Sequence, residues 1–442
     1  MMNGNRVSCG CDAAFASLAG HVMTTQQTTL RSGMKAPGCA VEGSGALKLH
    51  SIQALRAVAA LLVVLYHTRA IEMDAIMRKG LDEAPLLSTF VQNGFSGVDF
   101  FFVISGFIMV YVTGKVQPRL TTAGAFLFAR AARIYPLWWL FAAIMTLFFF
   151  ISYGLPYDAD RLAGGSELMR DNPWLHLFYS YALLPQQAVP VHGVGWTLVH
   201  EMHFYIGFAV LILLPRRFLP LGLLGWAAII LLGTLAGLQQ PTATDYVSLL
   251  VHPLSLEFLG GCAAALLICS GRRFKPMTVL IVGLVAFIAA LYLQPYPTDF
   301  TLGWGRVLFF GIPSILIVYG AAALEAEDRI SVPRSLVVLG DWSYALYLGH
   351  PLVLSGLRRI FDALAARLQG TFLEGVFTIG APGILDNLLF YVLGFIGSII
   401  FAGLVFKLFE KPAMALTGRW RKDLFEDTNA QLKPAPIKAA IW

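Results

Sequence analysis

Charge is what this chain has least of. Of 442 residues, 13% are Asp, Glu, Lys or Arg and 57% are hydrophobic, and the mean hydropathy is +0.68. Soluble domains carry roughly a quarter of their residues as charges, so a water-soluble globular enzyme is excluded and an integral membrane protein is implied. The net charge of +6 is spread over short loops, which argues against nucleic-acid binding and suits membrane orientation. Cysteine is scarce as well. Cys9, Cys11, Cys39, Cys262 and Cys269 form no redox or metal spacing, and the last two fall in an apolar run that suits small buried thiols. No HExxH pair is present, no apolar core of signal-peptide type precedes the first long apolar run, and the two halves of the chain show no mutual similarity.

What is there is a series of long apolar windows. They fall near 52–69, 97–114, 134–153, 196–214, 219–238, 248–270, 277–294, 302–324, 338–358 and 387–409. Each is of the length that crosses a bilayer, so the expected fold is an all-α polytopic membrane protein of about ten transmembrane helices. The stretch 173–185, bounded by Pro173 and Pro185, is too short to span and reads as interfacial or re-entrant. Residues 1–48 are rich in Gly, Ser, Thr and Ala without periodicity and are expected to form a poorly ordered cytoplasmic lead, in which Met34 is a second candidate start. The membrane domain is expected over 49–412 and a cytoplasmic tail over 413–442.

Loop charges give an orientation. Lys115, Arg119, Arg130 and Arg133 flank one loop, Arg216 and Arg217 another, Arg272, Arg273 and Lys275 a third, and Lys411, Arg419, Arg421 and Lys422 follow the last window. Asp158, Asp160, Glu167 and Asp171, then Asp245 and Asp299, lie in the intervening loops. The positive-inside rule then places both termini in the cytoplasm.

Against this background a few polar residues stand out. In "LHSIQALRAVAALLVVLYHTRA" (49–70), Arg56 and His67 are eleven residues apart, close to three helical turns, and so share one face. That spacing is about 16 Å along the axis, with Arg56 toward the cytoplasm and His67 toward the outer side. "GFSGVDFFFVISGF" (94–107) brings Asp99 to a similar depth, where a carboxylate would hold one imidazole nitrogen protonated and leave the other as a base. Gly94, Gly97 and Gly106 in the same stretch allow close helix approach. "RAARIYPLWW" (130–139) offers Arg130 and Arg133 on one face, either as membrane anchors or as a forked clamp for an anionic ligand. "GWTLVHEMHFY" (195–205) contributes Glu201, an intramembrane carboxylate, with His200 and His203 beside it. The histidine spacing lacks a supporting ligand cluster, so no metal is expected. "WSYALYLGHP" (342–351) adds His350.

These stretches, in this order and with the terminal "FEKP" (409–412), resemble the acyltransferase-3 family of membrane acyltransferases over about residues 49–412. The first-helix and EMHFY stretches look most like its exopolysaccharide-acetylating branch. The resemblance implies a ten-helix enzyme of the bacterial inner membrane that moves an acyl group, expected to be acetyl, from cytoplasmic acyl-coenzyme A to a sugar hydroxyl of an envelope or secreted glycan. It implies His67 as the essential base, Arg56 as its paired arginine, Arg130 and Arg133 as donor-phosphate ligands, Glu201 as the acid of the WTLxxE motif and His350 as the late histidine. Asp99 or Glu201 would orient His67, with Ser105 a candidate for an acyl relay. No cofactor is bound permanently: acetyl-CoA enters as donor substrate, and polysaccharide-synthesis machinery is a candidate partner. No esterase-like domain is expected at the C-terminus, so the membrane domain is expected to handle the acceptor. Two rivals remain at this stage, a glycan or lipid exporter whose path the same polar residues line and a structural subunit of a synthesis complex.

Overall fold

The computed structural model describes residues 49–81, 86–87, 89–154, 172–240, 244–294 and 303–425. The expected lead over 1–48 and the last part of the tail lie outside them. Among the described residues every regular element is a helix.

Among the described residues eight segments are long and apolar enough to cross a bilayer: His50–Lys79, Phe90–Val112, Leu120–Ser152, Arg216–Leu235, Tyr246–Cys269, Pro276–Leu293, Trp304–Ala326 and Leu385–Leu424. The windows at 196–214 and 338–358 are helical but fall outside this group. The helix over Trp196–Ile212 has only 17 residues, and the 25-residue helix Ser343–Arg367 carries a charged second half with Arg358, Arg359 and Asp362. These are the two windows that bear Glu201 and His350, so the polarity that suits a site is also what weakens the membrane signal. In chain order the helices used below are α1 (His50–Lys79), α2 (Gly97–Val112), α3 (Leu120–Tyr153), α4 (Pro173–Ala182), α5 (Trp196–Ile212), α6 (Leu219–Leu235), α7 (Ser255–Cys269), α8 (Pro276–Leu293), α9 (Ile312–Ala326), α10 (Arg334–Asp341), α11 (Ser343–Arg367), α12 (Leu385–Val405) and α13 (Lys411–Leu424).

Burial separates the interior from the rim. The span containing α2 is 83% buried and that containing α7 is 78% buried, whereas those of α6 and α8 are 28% buried. The rim helices are apolar all round and show Leu221, Leu224, Leu232, Val285 and Leu293 to the outside, as a lipid-facing surface requires. Inside, α2 and α7 touch backbone to backbone. A methyl at Gly106 would collide with the Phe258 carbonyl, one at Gly261 with the Val103 carbonyl, and Cys262 Sγ donates to Gly106 O at 3.3 Å. Small residues permit such contact where lipid gives no hydrophobic drive to associate. Gly97 meets α1 in the same way, over the Ala59 carbonyl.

The short stretch after Pro173 is a ten-residue helix, α4, capped by the Asn172 side chain and ended by Leu183 in the left-handed region at φ 55°. Its terminal carbonyls are satisfied from α3: Tyr135 OH donates to Ala182 O, Trp138 Nε1 to Ser180 O and Trp139 Nε1 to Tyr181 O. A helix end that would otherwise leave orphan carbonyls is thus pinned against the bundle.

Gly106→Val should force α2 away from α7 and cost about 1–3 kcal/mol or more. Thermal unfolding of the purified protein in detergent should show a clear drop, while Gly225→Val, where a Cβ meets nothing within 4 Å, should leave the midpoint nearly unchanged.

Candidate active site

Two cavities follow one another along the bundle, and α1, α3, α5 and α11 line both. The first, about 230 Å³, is bounded by Arg56 of α1, Ser105 of α2, Arg130 and Arg133 of α3, Thr197, Glu201 and Tyr205 of α5, and Tyr344 and Tyr347 of α11. The second, about 510 Å³, takes His67 of α1, Met145 and Phe148 of α3, Trp196 at the start of α5, and Pro351, Leu352 and Arg359 of α11. On α1, α3 and α11 the second cavity uses residues further along the chain, and on the oppositely running α5 it uses earlier ones. The two are therefore stacked along the bundle axis. A vestibule of about 420 Å³ shares Gln53, Arg56 and Arg133 with the first cavity and adds Asp341, Glu410 and Lys411.

The arginine cavity is electrostatically lopsided. Arg56 Nε donates to Ser343 Oγ at 3.2 Å, and Arg130 lies over the rings of Phe126 and Tyr205, at 5.7 and 6.0 Å from their centroids. Arg130 Nε is buried with no hydrogen-bond partner among the described residues. No carboxylate forms an ion pair with Arg56, Arg130 or Arg133 among the described residues. Glu201, the nearest acid in the lining, is occupied otherwise: Tyr205 OH donates to it and Ser105 Oγ donates at 3.4 Å. The expected grouping of Arg56 with Arg130 and Arg133 is thus present, and Ser105 sits with Glu201 on the arginine side of the molecule.

In the histidine cavity, His67 Nδ1 lies 2.9 Å from Val63 O, one turn back on its own helix. A carbonyl can only accept, so in the neutral ring Nδ1 carries the hydrogen and Nε2 keeps its lone pair. His350 repeats the arrangement with Leu346 O at 3.0 Å, and its Nε2 is buried without a partner among the described residues. The two rings lie 4.8 Å apart between centroids. His192, ahead of α5, is held by Leu348 O at 2.8 Å and stacks on Phe141.

Between the cavities stands a hydrogen-bonded septum. The Tyr347 hydroxyl is 2.8 Å from Thr197 Oγ1 and 3.0 Å from Val194 O, and Thr197 Oγ1 lies 3.1 Å from the same carbonyl.

The structure corrects one expectation outright. Asp99 does not meet His67. Its carboxylate accepts from Arg306 Nε at 3.2 Å and Nη2 at 2.7 Å, and the pair is 0% and 5% exposed. Arg306 precedes a π-helical turn, Val307–Gly311, that leads into α9, and the buried Glu257 of α7 packs on Gly311. Asp99 faces α9 because a carboxylate at that depth pairs with the strongest donor it can reach, a planar guanidinium. Glu201 does not orient His67 either: it lines the other cavity, where its Oε1 accepts from Tyr205 and Ser105. The orienting acceptor is the Val63 carbonyl. His203 packs against the Trp226 ring at 5.6 Å and lines neither cavity. No group of three His, Cys, Asp or Glu side chains positioned for a metal is found among the described residues.

Sequence reasoning missed Arg306, Glu257, His192 and the septum. The first two were legible as charges inside the windows 302–324 and 248–270, where an ionisable residue calls for a partner. His192 and Thr197 carry no such mark, because loop position and a hydroxyl say nothing about depth.

Asp99→Asn should leave Arg306 buried without its counter-ion and destabilise the fold by about 3–5 kcal/mol. The double variant Asp99→Asn/Arg306→Gln should regain part of that loss in thermal unfolding. A fall in turnover with an unchanged unfolding midpoint would instead return Asp99 to the chemistry.

Comparison with known proteins gives a consistent picture. The profile of an acyltransferase domain matches residues 49–407. The chain is 29% identical over 304 residues to the exopolysaccharide production protein ExoZ of Rhizobium meliloti (strain 1021), covering 63% of this chain and 86% of the relative. It is 27% identical over 397 residues to the acyltransferase MdmB of Streptomyces mycarofaciens, covering 85% of this chain and 94% of the relative. A shorter match, 35% over 118 residues, covers 25% of this chain and 62% of protein 2 in the picA locus of Rhizobium radiobacter. No solved structure matches.

Proposed function

The chain belongs to the acyltransferase-3 family and is a multi-pass membrane acyltransferase, and from that premise we propose that it moves an acyl group, acetyl in the simplest case, from cytoplasmic acyl-coenzyme A to a hydroxyl of an exopolysaccharide or other envelope glycan. We place it in the bacterial inner membrane, with the vestibule and both termini on the cytoplasmic side. One observation carries the donor assignment: Arg56, Arg130 and Arg133 line one cavity and, among the described residues, none of them forms an ion pair, while Glu201 of the same lining is held by Tyr205 and Ser105 and Glu410 stands in the vestibule. Isolating charges from water costs several kcal/mol each unless a counter-ion completes the site. Forked guanidinium donors suit phosphate oxygens, and coenzyme A brings several phosphates on one molecule.

The chemistry then runs along the stack. Phosphates held by Arg56, Arg130 and Arg133 leave the slender pantetheine arm pointing past Tyr344 and Tyr347 toward the septum. The acceptor occupies the histidine cavity. Nε2 of His67 takes the proton of a sugar hydroxyl as its oxygen attacks the thioester carbonyl, and the collapsing adduct expels the coenzyme as thiolate, which recovers the proton. His350, with its own Nε2 free beside the His67 ring, offers a second seat for that proton. ExoZ is named for exopolysaccharide production and MdmB as an acyltransferase, which supports a glycan acceptor and acyl transfer together.

The test is release of free coenzyme A from acetyl-CoA by the purified protein in vesicles, with acetyl-CoA on one side and a glycan on the other. Release that depends on the glycan is expected. Glycan crossing the membrane without coenzyme release would establish an exporter instead.

His67→Ala should lower kcat by about 10²–10⁴-fold, the usual worth of a positioned base, with folding intact. Arg133→Lys keeps the charge and loses the fork, so the KM for acetyl-CoA should rise several-fold while kcat changes little. An unchanged donor KM would reduce Arg133 to a membrane anchor.

A further inference from the structure

We propose that Arg359 at the mouth of the histidine cavity binds an anionic group of the acceptor, a carboxylate or a phosphate, and so selects charged acceptors over neutral ones. The assignment rests on reading that cavity as the acceptor site. Arg359 lines it together with His67, His192 and Trp196. Nine residues separate it from His350 on α11, so it sits about 13 Å further from the septum. His67 and Arg359 line the same cavity, so one ligand can meet both.

The surroundings argue for a ligand and against an internal salt bridge. Arg358, its neighbour in sequence, points elsewhere and joins a matched network. It donates to Asp74 at 2.8 Å and lies 3.7 Å from Asp362, while Arg78 and Lys79 pair with the same two acids. One residue further on is about 100° around the helix, and Arg359 leaves that network for the cavity. Among the described residues it pairs with no carboxylate, and its only recorded contact is the Phe148 ring, 4.6 Å beneath the guanidinium. The Phe148 face offers the guanidinium a cation–π contact, which leaves its N–H donors for capture of a planar or tetrahedral anion. Arg359 also stands at the opposite end of α11 from the arginine cavity, so anchoring on the cytoplasmic side does not account for it. Apart from Ser355, the rest of the lining, Met145, Phe148, Val194 and Leu352 among it, is apolar or glycine, as in sites where a few polar groups set specificity.

The experiment measures binding to the full-length protein in nanodiscs of zwitterionic lipid. The probes are a glucuronate-containing disaccharide, its neutral glucose counterpart and farnesyl diphosphate. These distinguish an anion on the sugar from one on a lipid carrier. Wild type should prefer at least one anionic probe over the neutral sugar. Arg359→Gln should weaken that probe about tenfold or more. Arg359→Lys should fall between them, and the neutral disaccharide should move less than twofold. Because Arg359 is exposed, both variants should unfold at the wild-type temperature. Equal binding of all three probes to wild type, or anion binding unaffected by Arg359→Gln, would overturn the proposal. Acetyl transfer is followed in the same preparation. Selective, Arg359-dependent anion binding without transfer would keep the anion site and sink the acyltransfer reading. Transfer without Arg359-dependent selectivity would do the reverse.

Discussion

A guanidinium or carboxylate surrounded by hydrocarbon has nowhere favourable to go except the interior of the bundle, and that constraint arranges the rest of this molecule. Helices α6 and α8 carry almost no polarity and form the rim. Helices α1, α2, α3, α5 and α11 each carry polar groups on one side and turn that side inward, so their polar faces are collected on a single axis. The stack of vestibule, arginine cavity, septum and histidine cavity is the result. Glycines at the α2–α7 contact let these two backbones touch, and the buried Asp99–Arg306 pair ties α2 to the segment that leads into α9.

The manner in which the histidines are held follows from the same scarcity of partners. An imidazole on a membrane helix finds a near acceptor in the carbonyl one turn earlier, and both His67 and His350 use it. This fixes the tautomer by local geometry and leaves the Asp99 carboxylate to pair with Arg306. Orientation by a backbone carbonyl also adds no second charge near the base, whereas a carboxylate partner would have to be desolvated as well.

The septum has a consequence for the proposed reaction. A continuous polar channel would admit water to an activated thioester and would leak ions. Tyr347, Thr197 and the Val194 carbonyl satisfy one another across the gap, so closing it leaves no polar atom unpaired. The side-chain rotation that lets an acyl group through breaks only neutral hydrogen bonds, each of modest net worth.

Much of this was already written in the chain. The apolar windows determined an all-helical membrane bundle, because length and hydropathy alone decide what a bilayer accepts. The eleven-residue interval from Arg56 to His67 placed both on one face of α1, since the period of a helix is set locally. Arg130 and Arg133 were paired for the same reason. Partners between helices were another matter. Asp99 and His67 share a depth, but the rotation of α2 about its axis is set by Gly106 against α7, and that rotation delivers Asp99 to Arg306, more than 200 positions away in the chain. The stacking of two cavities and the septum between them likewise depends on how α5 and α11 meet, and no interval within either helix records it. Periodicity encodes which way a side chain points from its own helix, and only packing decides what stands opposite.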